Sequence, residues 1–419
     1  MKPLRDNDFK LKSILEVCHL VPFNLRFSIF NFQFAMLFAV LALGSWSFAE
    51  EPTPTAAPVP SAEDAYKRGV AYLLTTQNKD GSWGTFESAR PDEVYTDTIA
   101  SYRAFLDATT GLCVEALITP AKTNKDAAKA LEKAIKFLIK SPPVLRASGM
   151  VFYNVWTHIY VLDAMNAVLN EEKLSSFHSD AKIVAKRQVD GFAKLQGCEG
   201  GFGYYDFDLG GVQPAGREST SFTTAAALLA LDGAKSAGVD VPEAMVKDAL
   251  KSLTRLRGGD GAYIYGTYLL DRPKHFANRE KGSIGRSQVC NLTLWRLKTG
   301  LVTQKDLSAG LDNLLKDHAF IEMGKGRPIP HESWYCTAGY YFLFGHYYAA
   351  RVAKELPSDE AKKYLGSLKD ILCRLQEPDG SWWDYPLYGY YKAYGTAFAL
   401  MTLEMANEPA VVKGEGSGK

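Results

Sequence analysis

The chain has 419 residues, 47% hydrophobic and 23% charged, enough apolar material to bury a large core. Forty-eight Lys and Arg against 47 Asp and Glu leave a formal net charge of +1. That excludes the strong basic field by which nucleic acid or an anionic membrane surface is attracted, so neither is an expected partner.

Residues 1–49 differ from the rest of the chain. Basic residues end at Arg26, an apolar run extends from Phe34 to Leu43, and Ser47-Phe48-Ala49 sets small residues where a signal peptidase reads. This predicts a signal peptide with a long n-region, and a protein exported to the periplasm, cell envelope or exterior. The alternative is an uncleaved anchor over Phe27–Phe48, which Asn31, Gln33 and Ser45 weaken. Membrane contact is expected only through such an uncleaved signal. Residues 50–61, rich in Pro, Ala and Thr, read as an extended linker. Beyond it stand Cys113, Cys198, Cys290, Cys336 and Cys373, an odd and scattered set that does not look like a disulfide framework.

Residues 62–407 repeat themselves at roughly 50–60 residue spacing. Three segments carry the repeat: YKRGVAYLLTTQNKDGSWG at 66–84, KRQVDGFAKLQGCEGGFG at 186–203 and SLKDILCRLQEPDGSWW at 367–383. Each is an amphipathic helix that ends in Gln, then a turn, then Gly and an aromatic. A more apolar helix comes after each, over Tyr95–Ala108, Ser221–Ala234 and Tyr391–Met405. Weaker units pair Lys129–Ile139 with Phe152–Leu169, Ala249–Arg257 with Gly285–Leu297, and Leu307–Leu315 with Trp334–Lys354. A helix pair cannot bury its apolar face alone, so the pairs must stack. The expected fold is all-α, an α/α6 toroid with six outer and six inner helices. An open solenoid is the alternative. The charged loop 271–281 is a candidate lip over the cavity mouth, and the polar, Gly-rich tail 408–419 is expected to be disordered.

Arg68-Gly69, Tyr72-Leu73, Gln77 and Gly81-Ser82-Trp83 resemble the QW motif of squalene–hopene and oxidosqualene cyclases. Gln376 with Gly380-Ser381-Trp382 is similar to its second half, and Gln196 with Gly200-Gly201-Phe202 resembles the looser protein prenyltransferase version. The resemblance implies a double ring of helices around an apolar cavity. It makes Gln77, Gly81, Trp83, Gln196, Phe202, Gln376, Gly380 and Trp382 structural residues that tie repeats together. Members of these families cyclise polyprenes or transfer prenyl groups.

The catalysts of those families do not carry over intact. Aligning Thr224-Ala225 on the cyclase acid motif sets Thr220, Phe222 and Thr223 where carboxylates belong, and Asp97 is a lone acid that also suits a helix N-cap. Against the prenyltransferase zinc site, Cys290 matches a ligand, Gln288 stands in the Asp position and His331 is one residue out of register. No cofactor is therefore expected, with zinc at Cys290, His331 and Glu332 the one metal alternative. What remains is a polar and aromatic set near inner-helix starts. Asn154, His158, Arg286, His331 and Tyr391 are the catalytic candidates, and Trp156, Tyr335 and Tyr394 the ligand-binding ones. Inner-helix N-termini gathered at one mouth would favour an anionic ligand there.

Two function classes fit these residues. One is an envelope protein that binds an apolar, isoprenoid-like ligand or a partner in or at the central cavity. The other is an envelope enzyme, for example a toroid polysaccharide lyase, in which Tyr or His abstracts a proton and Asn and Arg neutralise the enolate. A divergent terpenoid cyclase or prenyltransferase is a third alternative.

Overall fold

The alternation of amphipathic and wholly apolar segments becomes two concentric layers of helices. The computed structural model describes residues 58–85, 87, 99–144, 150–203, 205–207, 219–326, 338–386 and 388–408. The signal, most of the linker, Asp97, His331, Glu332, Tyr335, Cys336 and residues 409–419 of the tail lie outside the described residues. The chain divides between Pro58 and Val59, and the helices belong to the unit from Val59 onward.

In chain order its helices are α1 (Ala62–Thr76), α2 (Ile99–Ala121), α3 (Lys125–Lys140), α4 (Asn154–Asn170), α5 (His178–Leu195) and α6 (Ser221–Ser236). Then come α7 (Glu243–Arg255), α8 (Glu280–Arg296), α9 (Gln304–Lys316), α10 (His318–Gly324), α11 (Phe342–Ala353), α12 (Ser358–Leu375) and α13 (Tyr391–Asn407). The outer helices are α1, α3, α5, α7, α9 and α12. In α3, Ala127, Ala130, Leu131, Ala134, Ile135 and Leu138 are buried at helical spacing. Asn124 caps that helix by accepting from the backbone N–H of Asp126 and Ala127. The inner helices are α2, α4, α6, α8, α11 and α13. In α6 every residue from Ser221 to Leu231 is buried, which only neighbours on all sides permit.

Each inner helix packs on the next, and α13 packs on α2, so the ring is closed and the open solenoid is excluded. Two short antiparallel strands, β1 (Met150–Phe152) and β2 (Tyr205–Phe207), join the segment entering α4 to the one that leaves α5. Among the described residues no helix is long and apolar enough to cross a membrane.

The QW-like residues fasten one repeat to the next. Gln77 Nε2 donates to Gly81 O (3.0 Å) and across to Ala130 O (2.8 Å). Gln196 Nε2 donates likewise to Gly200 O (2.7 Å) and Met245 O (2.9 Å). Gln376 Nε2 donates to Gly380 O (2.9 Å) and to Ala65 O (2.8 Å), which joins the last repeat to the first. Trp83 and Trp382 each donate from Nε1 to a carbonyl of their own outer helix, Leu73 O and Leu372 O, both at 2.8 Å. The Gly after the turn must be Gly. Gly380 has φ +87°, and a Cβ there would stand 2.7 Å from Arg68 O.

Two inner helices exceed their expected bounds by more than two residues. α2 runs on past Ala108 to Ala121 because its turn-like Thr-Thr-Gly is helical: Thr110 Oγ1 donates back to Leu106 O (2.8 Å), and Gly111 lets the carbonyl of Tyr160 approach. α8 begins at Glu280, ahead of Gly285. There the loop tendency of Gly282-Ser283 is overridden by burial of everything from Gly282 to Leu294.

Candidate functional site

The inner face of the ring is aromatic. Trp156 and Tyr160, one turn apart on α4, stack at 5.8 Å. Trp156 meets Phe222 of α6 and Phe344 of α11, each at 6.1 Å, and Tyr160 meets Phe398 of α13 at 5.7 Å. In the order of the ring α4 and α11 are opposite each other, so these rings touch across the axis. Phe222, Phe344, Phe398, Tyr160 and Tyr348 are at most 5% exposed and close the middle of the ring. Towards the N-terminal ends of the inner helices, Trp156, Tyr340 and Tyr394 keep partial exposure. Solvent reaches aromatic surface there.

Polar groups at that end are few and held by protein. Arg286 is 1% exposed, with its guanidinium 4.7 Å from the Tyr265 ring and 5.6 Å from that of Phe222. Its Nη2 donates to Ala277 O (2.5 Å) and Gly282 O (3.1 Å), while Nε and Nη1 have no hydrogen-bond partner. Tyr394 donates to Asp384 (2.8 Å), which also accepts from the backbone N–H of Leu343 (3.1 Å) and Tyr385 (2.8 Å). Burial nevertheless raises the Asp384 carboxyl to about 6. At the position aligned with the cyclase acid, the Thr220 and Thr223 hydroxyls are hydrogen-bonded to each other at 2.5 Å, and Thr223 donates to Phe202 O.

The structure thus brings Trp156, Arg286 and Tyr394 to one aromatic wall. The other described candidates lie elsewhere. Asn154 and His158 share the opposite face of α4, towards the outer layer, where His158 Nδ1 donates to Gln188 Oε1 (2.7 Å). His158 is pushed down to about 4 by burial, so it is neutral near pH 7. Both residues line a groove of about 1360 Å³ between α3, α4 and α5, with Asp107, Lys182 and Arg187. Tyr391 stands edge-on to Trp383 at 5.7 Å, away from that wall. Cys290 is fully buried, and burial pushes its thiol up to about 12. Among the described residues no three His, Cys, Asp or Glu side chains are grouped for a metal. Cys113, Cys198, Cys290 and Cys373 are free thiols.

Sequence reasoning passed over Glu115 on α2, Asp163 on α4 and Arg351 on α11, three half-buried charged residues towards the C-terminal ends of inner helices. A signal was present: each is a lone charge in a wholly apolar stretch, as in YVLDAM and YYAARVA.

The sequence profile of the squalene-hopene cyclase C-terminal domain matches residues 53–277, more than half of the chain. The chain belongs to the squalene-hopene cyclase C-terminal domain family. No curated protein matches this family member. Solved structures similar to it include D-mannose isomerase, with TM-score 0.51 at 12% identity over 82% of this chain and 97% of that one. The type II terpene cyclase MstE from Scytonema, in complex with geranylgeranyl dihydroxybenzoate, aligns with TM-score 0.48 at 15% identity over 82% and 97%. An alpha-1,6-mannanase from Salegentibacter sp. HEL1_6 aligns with TM-score 0.49 at 11% identity over 83% and 100%. At such identities the likeness is one of fold.

Proposed function

We propose that this member of the squalene-hopene cyclase family is an exported protein that binds an isoprenoid-like apolar group without protonating it. The bound group lies against Trp156 and Tyr394, at the end of the ring marked by inner-helix N-termini. The observation that carries this reading is aromatic surface facing solvent there, with hydroxyls in place of carboxyls at Thr220 and Thr223. Alkene protonation requires an acid stronger than an ordinary carboxyl. Asp384, which accepts a hydrogen bond from Tyr394 of that wall, is shifted towards a weaker acid, and Thr220 and Thr223 occupy the aligned acid positions. Flat aromatic faces at low rotamer cost suit an unsaturated chain. Export rests on the signal-like residues 1–49.

Binding of radiolabelled geranylgeraniol to the purified chain tests the reading, with organic extracts inspected for cyclised product. Saturable binding without product is expected. Trp156→Ala should weaken it about tenfold, the equivalent of ~1.4 kcal/mol of lost aromatic contact, whereas His158→Ala should leave it unchanged. Absence of saturable binding overturns the binding role, and a cyclic product overturns the non-catalytic one. Terminal sequencing of the chain from fractionated cells tests export: a mature start near Glu50 supports it, and an intact Met1 terminus in the cytosol counts against it.

A further inference from the structure

The groove of about 1360 Å³ between α3, α4 and α5 has Asn154 and His158 of the inner helix α4 at its floor, and Arg187, Gly191 and Lys194 along α5. Spacings of four and three residues set those last three on one face of α5. A Cβ at Gly191 would stand 2.2 Å from His158 Cε1, so between the two cations the wall is bare backbone with the imidazole against it. The protein's own bonds leave several polar groups here unsatisfied. Arg187 is half-buried, yet among the described residues no carboxylate comes within 4.0 Å of its guanidinium. Its one hydrogen bond is a long one, from Nη2 to Leu138 O (3.4 Å), and its Nε has no partner. Asn154, only 4% exposed, keeps Oδ1 without a donor. His158 Nδ1 donates to Gln188 Oε1 (2.7 Å), which leaves Nε2 of the neutral ring as an acceptor with no donor among the described residues.

Charge selects an anion. Asp107 is already engaged, with Arg103 Nε 3.3 Å away and Ser141 Oγ donating to it (3.3 Å), and Lys186 is paired with Asp190. Of the other charges that line the groove, Lys182, Arg187 and Lys194 stand against Asp240 alone. A guanidinium without a counter-ion calls for a carboxylate or a phosphate. The two open acceptors then select the kind of anion. Asn154 Oδ1 and His158 Nε2 need donors, which hydroxyl groups supply and a phosphate dianion does not. The volume exceeds the ~300–1,000 Å³ of pockets that take one drug-sized molecule, so a chain of several sugar rings has room.

We propose that the groove between α3, α4 and α5 binds an acidic sugar chain, with a carboxylate on Arg187 and Lys194 and hydroxyls on Asn154 and His158. Trp156 and the aromatic wall are on the opposite face of α4, so the site stands whether or not an isoprenoid binds there.

The test is titration calorimetry of the full chain with a galacturonate trimer, with maltotriose, inorganic phosphate and a glutamate-rich peptide as controls. Saturable binding of the uronate, weakened by salt, is expected, with little binding of the controls. Arg187→Gln should weaken it about tenfold. Lys194→Gln, at an exposed side chain where folding is not at issue, should weaken it about threefold. Both variants should leave Tm and the binding of geranylgeraniol unchanged. The proposal is overturned if no uronate binds at several tens of millimolar, or if binding ignores both variants. Equal binding of maltotriose would refute the carboxylate contact, and equal binding of phosphate would refute the hydroxyl contacts. Tighter binding of the peptide would overturn the proposal in favour of an acidic protein segment.

Discussion

Replacing Gln376 by Ala tests ring closure directly. The side chain donates to Gly380 O within its own turn and to Ala65 O on the first outer helix, at 2.9 and 2.8 Å. Losing two neutral hydrogen bonds and leaving two half-buried carbonyls unpaired costs ~2–3 kcal/mol. Unfolding entropy is ~2.1 cal/mol/K per residue, or about 0.7 kcal/mol/K for a ring of this size, so Tm should fall by roughly 3–4 °C. Gln77 makes the same pair of bonds to Gly81 and Ala130, between adjacent repeats. Gln77→Ala is therefore the control, and the two variants should lose equal stability in urea titrations followed by circular dichroism. In an open array only the local bond to Gly380 would exist, and Gln376→Ala would cost about 1 kcal/mol. A cost of that size for Gln376→Ala, beside about 2–3 kcal/mol for Gln77→Ala, would refute the closed ring.

The motif glycine should be as sensitive as the glutamine. Gly380→Ala sets a Cβ 2.7 Å from Arg68 O at φ +87° and should destabilise by more than about 2 kcal/mol, whereas Gly366→Ala, with nothing within 4 Å on the helix α12, should stabilise by ~0.5–1 kcal/mol by thermal melting. A buried histidine pair should make stability fall with acid. His346 Nδ1 donates to Phe342 O (2.6 Å), its Nε2 faces Nε2 of His318 (2.9 Å), and burial pushes His346 down to about 3. Glu322 and Arg374 are the charged groups beside the pair. The unfolded chain binds the proton more readily than the folded one, so the contribution is complete above the unfolded value near 6.5. It is lost as pH falls towards 3, at ~1.4 kcal/mol per pH unit. Asp107 and Asp384, raised to about 6 by burial, act in the opposite sense. The test is accordingly the difference in urea stability between the wild type and His346→Gln, which should shrink by ~2 kcal/mol from pH 6.5 to 5. A constant difference would sink the argument.

Much of the architecture is legible in the chain because its signals are local. Gln77, Gly81 and Trp83 recur in spirit as Gln196, Gly200 and Phe202 and as Gln376, Gly380 and Trp382, and a turn, a positive φ and a helix-end amide need only neighbouring residues to specify them. The contrast between half-apolar and wholly apolar helices likewise sorts outer from inner by composition alone. That same all-round burial is why the interior was not legible. An inner helix has no polar face to give direction, so nothing in its sequence says that Trp156 and Tyr160 point to the axis while Asn154 and His158 point to the outer layer. Arg286 is one of the few polar residues that reached the aromatic wall, because its aliphatic stem and flat guanidinium pack among rings. Trp156 and Phe344 lie on helices far apart in the chain and meet only because the ring closes. The sequence determined the repeat, the two layers and the brackets between neighbours. Only the tertiary structure decided which side chains share the interior, because direction about a helix buried on every side is set by its packing partners and by nothing within the helix itself.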